Sequence, residues 1–411
     1  MVRTPGFHPG NRGSIPLRTT IRNAIFFDGI SFIISILKMN NNIIKSDAII
    51  LGAGINGSGI TRELSLSGKK VTVIDKSTVG SGTSSKSSRL IHGGLRYLET
   101  MQFKLVHEAL LDRQELLKIY PDLVQMKSFF IPIYKPSPRP AWMIWIGLKF
   151  YDILSSRRRQ HQSRIIKRTN FPIHAASFKK YGLKAVFHYY DAKTNDLKLT
   201  QRVAQDAIDN GALVYENSII NSISNKNDVF IVKTDKGDFE SPILINATGP
   251  WIDEVNRKFD FPANFSIRKI SGIHITLDGL LTQDLMFMQT KQKRIFFVIP
   301  EPENNQTVIG TTEREESDSI DNITVNEDDI NYLIENINNY LTPGFQILRQ
   351  NVKDSWIGVR PLVAEAENPT NLSREYELDI HKFGDATLMH VFGGKLTTYL
   401  SLARKVRKIL F

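Results

Sequence analysis

Asp47-Ala-Ile-Ile-Leu-Gly-Ala-Gly-Ile-Asn-Gly-Ser-Gly-Ile60 decides the fold, because it reads as a buried strand running straight into a glycine-rich turn and then a helix. Gly52, Gly54 and Gly57 hold the G-x-G-x-x-G spacing. The first permits the tight turn, the second lets backbone approach a pyrophosphate, and the third allows the helix to pack closely on the strand. The phosphate then sits on the helix N-terminus, where unpaired N–H groups and the helix dipole favour an anion. A glycine spacing alone is a weak signal, since an ordinary helix start can carry it. Here Gly68 stops the helix, and a second apolar strand, Val71-Thr-Val-Ile-Asp75, ends in an acid where a carboxylate should meet a ribose hydroxyl. The expectation is a βαβ unit that binds a dinucleotide, with Gly52, Gly54, Gly57 and Asp75 as cofactor residues.

Working outward, Ser81-Gly-Thr-Ser-Ser-Lys-Ser-Ser-Arg-Leu-Ile-His-Gly-Gly-Leu-Arg-Tyr-Leu-Glu99 is a long run of small hydroxyl residues. Read blandly it is a flexible linker. It leads, however, into His-Gly-Gly-Leu-Arg-Tyr, whose glycines allow close backbone approach and whose polar side chains suit a site. Ser84, Ser85, Ser87 and Ser88 can offer donors to a second stretch of cofactor phosphate and ribityl chain, which an NAD fold rarely needs. Ile243-Leu-Ile-Asn-Ala-Thr-Gly249 is an apolar strand ending on small residues, so Thr248 and Gly249 are expected beside the cofactor. Phe392-Gly-Gly-Lys-Leu-Thr-Thr-Tyr399 leads from a strand into a helix. Either it is an ordinary turn, or Gly393, Gly394, Lys395, Leu396 and Thr397 face a flavin ring with the helix N-terminus stabilising its negative charge.

With these stretches in view, residues 45 to 405 resemble the FAD-dependent glycerol-3-phosphate dehydrogenases of the aerobic, quinone-linked type. The matching stretches, in order, are Gly-Ile-Asn-Gly-Ser-Gly (54 to 59), Ser-Ser-Arg-Leu-Ile-His-Gly-Gly-Leu-Arg-Tyr-Leu-Glu (87 to 99), Arg-Pro-Ala-Trp-Met-Ile (139 to 144), Tyr-Tyr-Asp (189 to 191), Asn-Ala-Thr-Gly-Pro-Trp (246 to 251), Arg-Ile-Phe-Phe-Val-Ile-Pro (294 to 300), Ile-Gly-Thr-Thr-Glu (309 to 313), Gly-Val-Arg-Pro-Leu (358 to 362) and Phe-Gly-Gly-Lys-Leu-Thr-Thr-Tyr (392 to 399). The resemblance implies an α/β fold with a Rossmann-like FAD-binding domain and an inserted β-rich substrate domain. The expected cofactor segments are 45–125, 185–255 and 350–411, and the expected substrate or cap segments are 126–184 and 256–349. It also implies oxidation of sn-glycerol 3-phosphate to dihydroxyacetone phosphate, with hydride passing from C2 to flavin N5 and electrons onward to quinone.

A dianionic phosphate needs cations, for which Arg96, Arg360 and Lys395 are the candidates; Tyr97 either bonds a substrate hydroxyl or packs. The base that takes the C2 hydroxyl proton is expected to be a histidine, His92 or His274. Oxygen-using oxidases of glycerol phosphate or of an amino acid stay open as alternatives, as does a remnant that binds FAD without turnover. Two stretches depart from the family. Ser271-Gly-Ile-His274 stands where Lys-Gly-Ser-His is common, an expected loss of a cation and a hydroxyl beside the site, and Asn195-Asp-Leu-Lys-Leu199 replaces Asp-Ala-Arg-Leu. Family members also continue into a helical C-terminal domain that is expected to be missing here. Residues 1–38 form a non-family leader, and translation is expected to start at Met39.

The chain has 411 residues, 41% of them apolar, enough for two packed domains, and no cysteine, which excludes disulfides and thiolate metal sites. No metal is expected. The net charge of +11 gathers in Lys135 to Arg168, which holds nine basic residues against the single acid Asp152 and includes Arg157-Arg158-Arg159. Beside it lies Ala141-Trp-Met-Ile-Trp-Ile-Gly-Leu-Lys-Phe-Tyr-Asp-Ile-Leu154. That pairing suits docking of a cytoplasmic, peripheral enzyme on the anionic cytoplasmic face of the inner membrane, or else a core helix followed by a solvated loop. No nucleic-acid module accompanies the charge, so nucleic acid is not an expected partner. A homodimer is left open.

Overall fold

The computed structural model describes residues 43–135, 137–155, 161–167, 177–364 and 376–411. The leader, the expected start at Met39 and the Arg157-Arg158-Arg159 run lie outside these residues.

Ala48–Leu51 and Val71–Ile74 form short strands in which every residue is buried, as continuous apolar runs in a covered parallel sheet are. They lie side by side in parallel at the centre of a six-stranded sheet. Ile243–Asn246 and Ala386–Phe392 extend it on one side and Leu213–Tyr215 on the other, all parallel, while Glu377–Phe383 adds an antiparallel edge. Helix Ile55–Leu66 packs on this sheet through Ile60 and Leu64, together with Leu402, Ala403 and Val406 of the last helix, Tyr399–Leu410. On the opposite face a small four-stranded sheet supplies Phe230, Val232 and Phe239 against Ile49, Leu51 and Leu244.

The second large unit is a ten-stranded, mostly antiparallel sheet. Its long strands alternate faces as a pleated strand must. Phe129, Ile131, Phe187 and Tyr189 pack towards helix Ala141–Leu154, whereas Phe130 and Val186 pack with helix Glu327–Asn338. Three strands fall differently from the expected segment boundaries, the shortest being Leu90–Ile91 of segment 45–125, which pairs with Leu183–Lys193 in this sheet. Leu183–Lys193 pairs along its length with Gln125–Tyr134, and Val352–Val363 pairs with Ile267–Asp278, so both belong to this sheet and not to the cofactor segments in which they were placed. Their ladders of backbone hydrogen bonds outweigh their position in the sequence. Among the described residues no helix is long and apolar enough to cross a membrane.

Candidate active site

A cavity of about 770 Å³ opens where the carboxyl ends of the parallel strands meet the ten-stranded sheet, the usual ligand position in open α/β sheets. Its wall at the six-stranded sheet is mostly backbone. Gly52 has φ +98°, and a Cβ there would lie 2.7 Å from the Ala247 carbonyl oxygen. Gly57 does not line the cavity; a Cβ on it would come within 1.9 Å of the Gly52 carbonyl oxygen, so its absence lets the helix sit against the turn. The helix begins at Ile55 after Gly54, which has no side chain to cap it, and carries no acid in its first turn, so its positive end faces the cavity. Asp75 ends the second strand, where its carboxylate accepts the N–H of Ala53 at 2.6 Å and of Ser77 at 2.8 Å. Burial pushes this carboxyl above the ordinary range against the pull of those two donors, and its remaining lone pairs are available to a ribose. Asn56 donates to the Gly393 carbonyl at 3.1 Å while its Oδ1, buried in the cavity wall, has no partner in the protein. A glycine cradle, a helix N-terminus facing the cavity and an unmet acceptor fit a dinucleotide with pyrophosphate and hydroxyl groups, as FAD has.

The serine run lies along the same cavity, but its members differ. Ser84 Oγ accepts the Ile55 N–H at 2.9 Å and so braces the helix start. Ser87 is bound through both its N–H and its hydroxyl to the buried Asp196, and Ser88 meets His274 Nε2 at 2.8 Å. Ser85 turns its hydroxyl to the carbonyls of Ser81 and Gly82 and is not among the residues lining the cavity. Thr83 donates to the Val359 carbonyl at 2.7 Å, and a Cβ on Gly358 would strike the Lys86 carbonyl oxygen at 2.7 Å, so Gly-Val-Arg-Pro-Leu is the strand on which this loop closes. The Gly-Gly-Lys stretch runs from a strand ending at Phe392 to a helix beginning at Tyr399. Gly393 and Gly394 take φ of +76° and +95°, values a helix cannot hold, and the helix begins only at Tyr399. Gly393 to Thr397 therefore face the cavity as a loop, with no helix N-terminus directly after the glycines.

At the ten-stranded sheet the wall is made of side chains. Arg96, Tyr97, Arg360 and His92 line it, while Thr248, Gly249 and Lys395 line the cavity from loops that follow two strands of the six-stranded sheet. Lys395 Nζ stands 4.2 Å over the Tyr97 ring, and Arg360 Nη2 donates to Thr311 Oγ1 at 2.9 Å. Gly272 makes room for that arginine, because a Cβ there would lie 2.6 Å from its Nη2. Glu313 pairs with Arg96 at 3.6 Å. This acid sits in the quoted Ile-Gly-Thr-Thr-Glu stretch, yet nothing in its spacing marked it as a partner of Arg96. Phe287, Ile295 and Phe297 close the apolar side. His92 is half-buried, its N–H donates to Thr397 Oγ1 at 3.3 Å, and its ring lies 6.2 Å from that of Phe297.

His274 differs from His92. It is 1% exposed, its ring stacks on Trp356 at 5.0 Å, its Nε2 is engaged with Ser88, and burial together with the charges of Arg360 and Arg89 pushes its pKa down to about 3. The expected losses at Ser271 and Ile273 do not occur beside the site. Strand alternation points Gly272 and His274 at the cavity, while Ile273 enters the core under helix Glu327–Asn338 and Ser271 bonds Arg314 and Glu316. Asn195 is likewise structural, capping helix Asp196–Asp209 through the Lys198 N–H at 3.0 Å. Among the described residues no group of His, Asp or Glu side chains is arranged to hold a metal ion.

A family described as FAD dependent oxidoreductase matches residues 47–400. The aerobic glycerol-3-phosphate dehydrogenase of Escherichia coli is 37% identical over 367 residues, 87% of this chain and 72% of that protein. The D-erythritol 1-phosphate dehydrogenase of Brucella abortus is 32% identical over the same shares of both chains. In three dimensions the glycerol-3-phosphate dehydrogenase of Bacillus halodurans, solved with FAD, superposes with a TM-score of 0.69 at 21% identity, covering 89% of this chain and 64% of the other. At that identity it speaks for the fold alone. The glycine cradle, the match along nearly the whole described chain and the identity to these enzymes agree: the chain belongs to the FAD-dependent oxidoreductases, in the group that holds the glycerol-3-phosphate dehydrogenases.

Proposed function

We propose that this protein oxidises sn-glycerol 3-phosphate to dihydroxyacetone phosphate. The observation that carries the reading is that Arg96 and Arg360, and Lys395 reaching over Tyr97 from the Gly-Gly-Lys loop, all line the cavity that holds the glycine cradle. Bound FAD supplies the chemistry at the reacting carbon, accepting a hydride from substrate C2. The chain supplies position and charge. Arg96 and Arg360 bring planar donor forks to the phosphate and Lys395 a point charge, in a site whose apolar wall of Phe287 and Phe297 weakens screening. His92, within the same wall and far less buried than His274, is the base that takes the C2 hydroxyl proton, while His274 stays neutral and holds Ser88. The residues expected to hold FAD are those of the cradle: Gly52, Gly54, Asp75, Ser84, Thr248, Gly249, and Gly393 to Thr397. Relatives that take a three-carbon and a four-carbon polyol phosphate share these levels of identity, so both esters belong in the test. Dihydroxyacetone phosphate formation with a dye acceptor from glycerol 3-phosphate, and not from glycerol, supports the reading. Turnover of D-erythritol 1-phosphate alone replaces the substrate, and turnover of neither ester sinks it.

The acceptor we propose is a membrane quinone. Helix Ala141–Leu154 turns Trp142, Ile146, Phe150 and Ile153 outward on one face, with Trp142 66% exposed, and Met101 and Phe103 lie exposed in the segment that Phe103 joins to it by its ring contact with Phe150. A continuous apolar face of this kind marks a docking surface, and the basic composition of the flanking sequence suits the anionic cytoplasmic face of an inner membrane. Sedimentation with anionic but not neutral vesicles, abolished by Trp142→Asp with Ile153→Asp, is the expected result. Binding of the variant equal to wild type, or quinone-independent reaction with oxygen at the same rate, contradicts it.

A further inference from the structure

Helix Ala141–Leu154 reaches the site from its inner side as well. Tyr151 is fully buried there, accepting the Gly93 N–H at 2.8 Å and donating to Asp191 at 2.7 Å. Asp191 in turn takes the guanidinium of Arg113, which is 1% exposed. Just before the helix, Arg139 is 6% exposed and grips Glu99 with two N–H groups, one at 2.9 Å, while reaching Gln289 at 3.3 Å. One helix thus fixes both ends of the segment that carries His92, Arg96 and Tyr97.

Between the two anchors the segment has little freedom. Gly93 has no space for a side chain, since a Cβ would lie 2.5 Å from Leu110 and 2.6 Å from the Tyr151 oxygen. Gly94 turns the chain at φ +72°, where a Cβ would strike the Tyr97 ring at 2.2 Å. Leu95, Tyr97 and Leu98 then lie on the cluster formed by Leu148, Tyr151 and Phe129. A buried Arg–Asp pair gains little net stability over apolar packing, because each ion is desolvated to form it. What the chain Arg113–Asp191–Tyr151 does fix is the position of one backbone N–H, next to His92.

We propose that Tyr151 and Arg139 are positioning residues for the reaction, setting His92 and Arg96 against the substrate without touching it. Tyr151 governs the His92 end and Arg139, through Glu99, the Arg96 end. The inference rests on the reading of His92 as base and Arg96 as phosphate ligand. Displacement of a reacting group by about 1 Å lowers a rate on the order of a hundredfold, so loss of either anchor should be visible in the chemical step or in substrate affinity.

The test uses the FAD-loaded full chain with Tyr151→Phe, which removes one hydroxyl and keeps the ring, and Glu99→Gln, which removes one charge at the more exposed end. Flavin content, melting temperature and anaerobic flavin reduction by sn-glycerol 3-phosphate are measured for each. The expected result is full flavin content in both. Tyr151→Phe lowers the limiting reduction rate about tenfold or more and shifts its pH profile, with a small change in Kd, whereas Glu99→Gln mainly raises Kd. Wild-type rate and affinity in both variants overturn the proposal. So does a rate loss that only tracks flavin loss. If Tyr151→Phe does not hold flavin, Glu99→Gln decides, and an unchanged Kd overturns the claim. A wild-type flavin that no polyol phosphate reduces is the distinct outcome in which the functional reading fails and the inference falls with it.

Discussion

The two walls of the cavity are built from different material. At the six-stranded sheet the cradle is made by backbone, by what glycines leave out and by one helix N-terminus. At the ten-stranded sheet the wall is made by long side chains, each held by a partner that is far away in sequence: Arg96 by Glu313, Arg360 by Thr311, and Tyr97 under Lys395, which reaches across from the Gly-Gly-Lys loop. The first wall tolerates almost no added atom, so substitution there acts on cofactor retention and folding. In the second, shortening one of the long side chains adds no clash and registers in substrate affinity and rate.

The largest effect that separates the walls is expected at Gly57. Gly57→Val places atoms where even a Cβ lies 1.9 Å from the Gly52 carbonyl oxygen, and overpacking of this kind costs about 1–3 kcal/mol or more. The purified protein should carry no flavin; a flavin-loaded, active variant would break the distinction. Next, His92→Asn should keep its flavin and lose about 10²–10⁴-fold in kcat, with the histidine limb gone from the pH profile. A larger loss in His274→Asn than in His92→Asn would exchange their roles. Arg96→Ala and Arg360→Ala should each lower kcat/KM on the order of a hundredfold, since a hydrogen bond to a charged group contributes about 1.5–3 kcal/mol, with flavin spectra unchanged.

Smaller effects sharpen the comparison. Ile273→Ser restores the residue common in the family, yet its side chain lies in the core beneath helix Glu327–Asn338. The folded variant should turn over within about twofold of wild type, while the loss of packing and an added hydroxyl lower its melting temperature. The pH dependence of stability should also differ between the sheets. Burial pushes His188 and His274, both on the ten-stranded sheet, down to about 4 and about 3 from the ordinary 6.5. Each stays neutral in the fold while it protonates in the unfolded chain, so the stability it contributes is present above pH 6.5 and is lost as pH falls towards 4. His390, pushed to about 4 on the six-stranded sheet, acts the same way, but Asp112, raised by burial to about 6 beside the last helix, acts oppositely. Hydrogen exchange between pH 7 and 5 should therefore loosen the ten-stranded sheet first; equal protection loss in both sheets would contradict this.

The same contrast explains what the sequence made legible. Gly52, Gly54, Gly57 and Asp75 are decided by local chain geometry, so their spacing was enough to locate the cradle. The cationic wall was legible only as residues inside recurring motifs, because its partners are brought together by strand pairing across hundreds of positions, as Arg96 and Glu313 are. Ser271 and Ile273 were read as beside the site because sequence neighbours of His274 look close to it, whereas a strand sends alternate side chains to opposite faces. The local contacts of Ser85 were equally hidden: in a tight 3₁₀ turn its hydroxyl finds backbone carbonyls. The roles of Tyr151 and Asp191 were hidden in a helix that reads as simply apolar and in a Tyr-Tyr-Asp stretch with no obvious partner.

The most direct test of the account is single-turnover reduction of the FAD-loaded chain without oxygen, comparing sn-glycerol 3-phosphate with glycerol at equal concentrations. A cavity lined by a backbone cradle and by three cations predicts saturable bleaching of the visible flavin band by the phosphate ester and none by glycerol. Equal bleaching by both would contradict the cationic wall as a phosphate site, and bound flavin that neither compound reduces would contradict the proposed reaction.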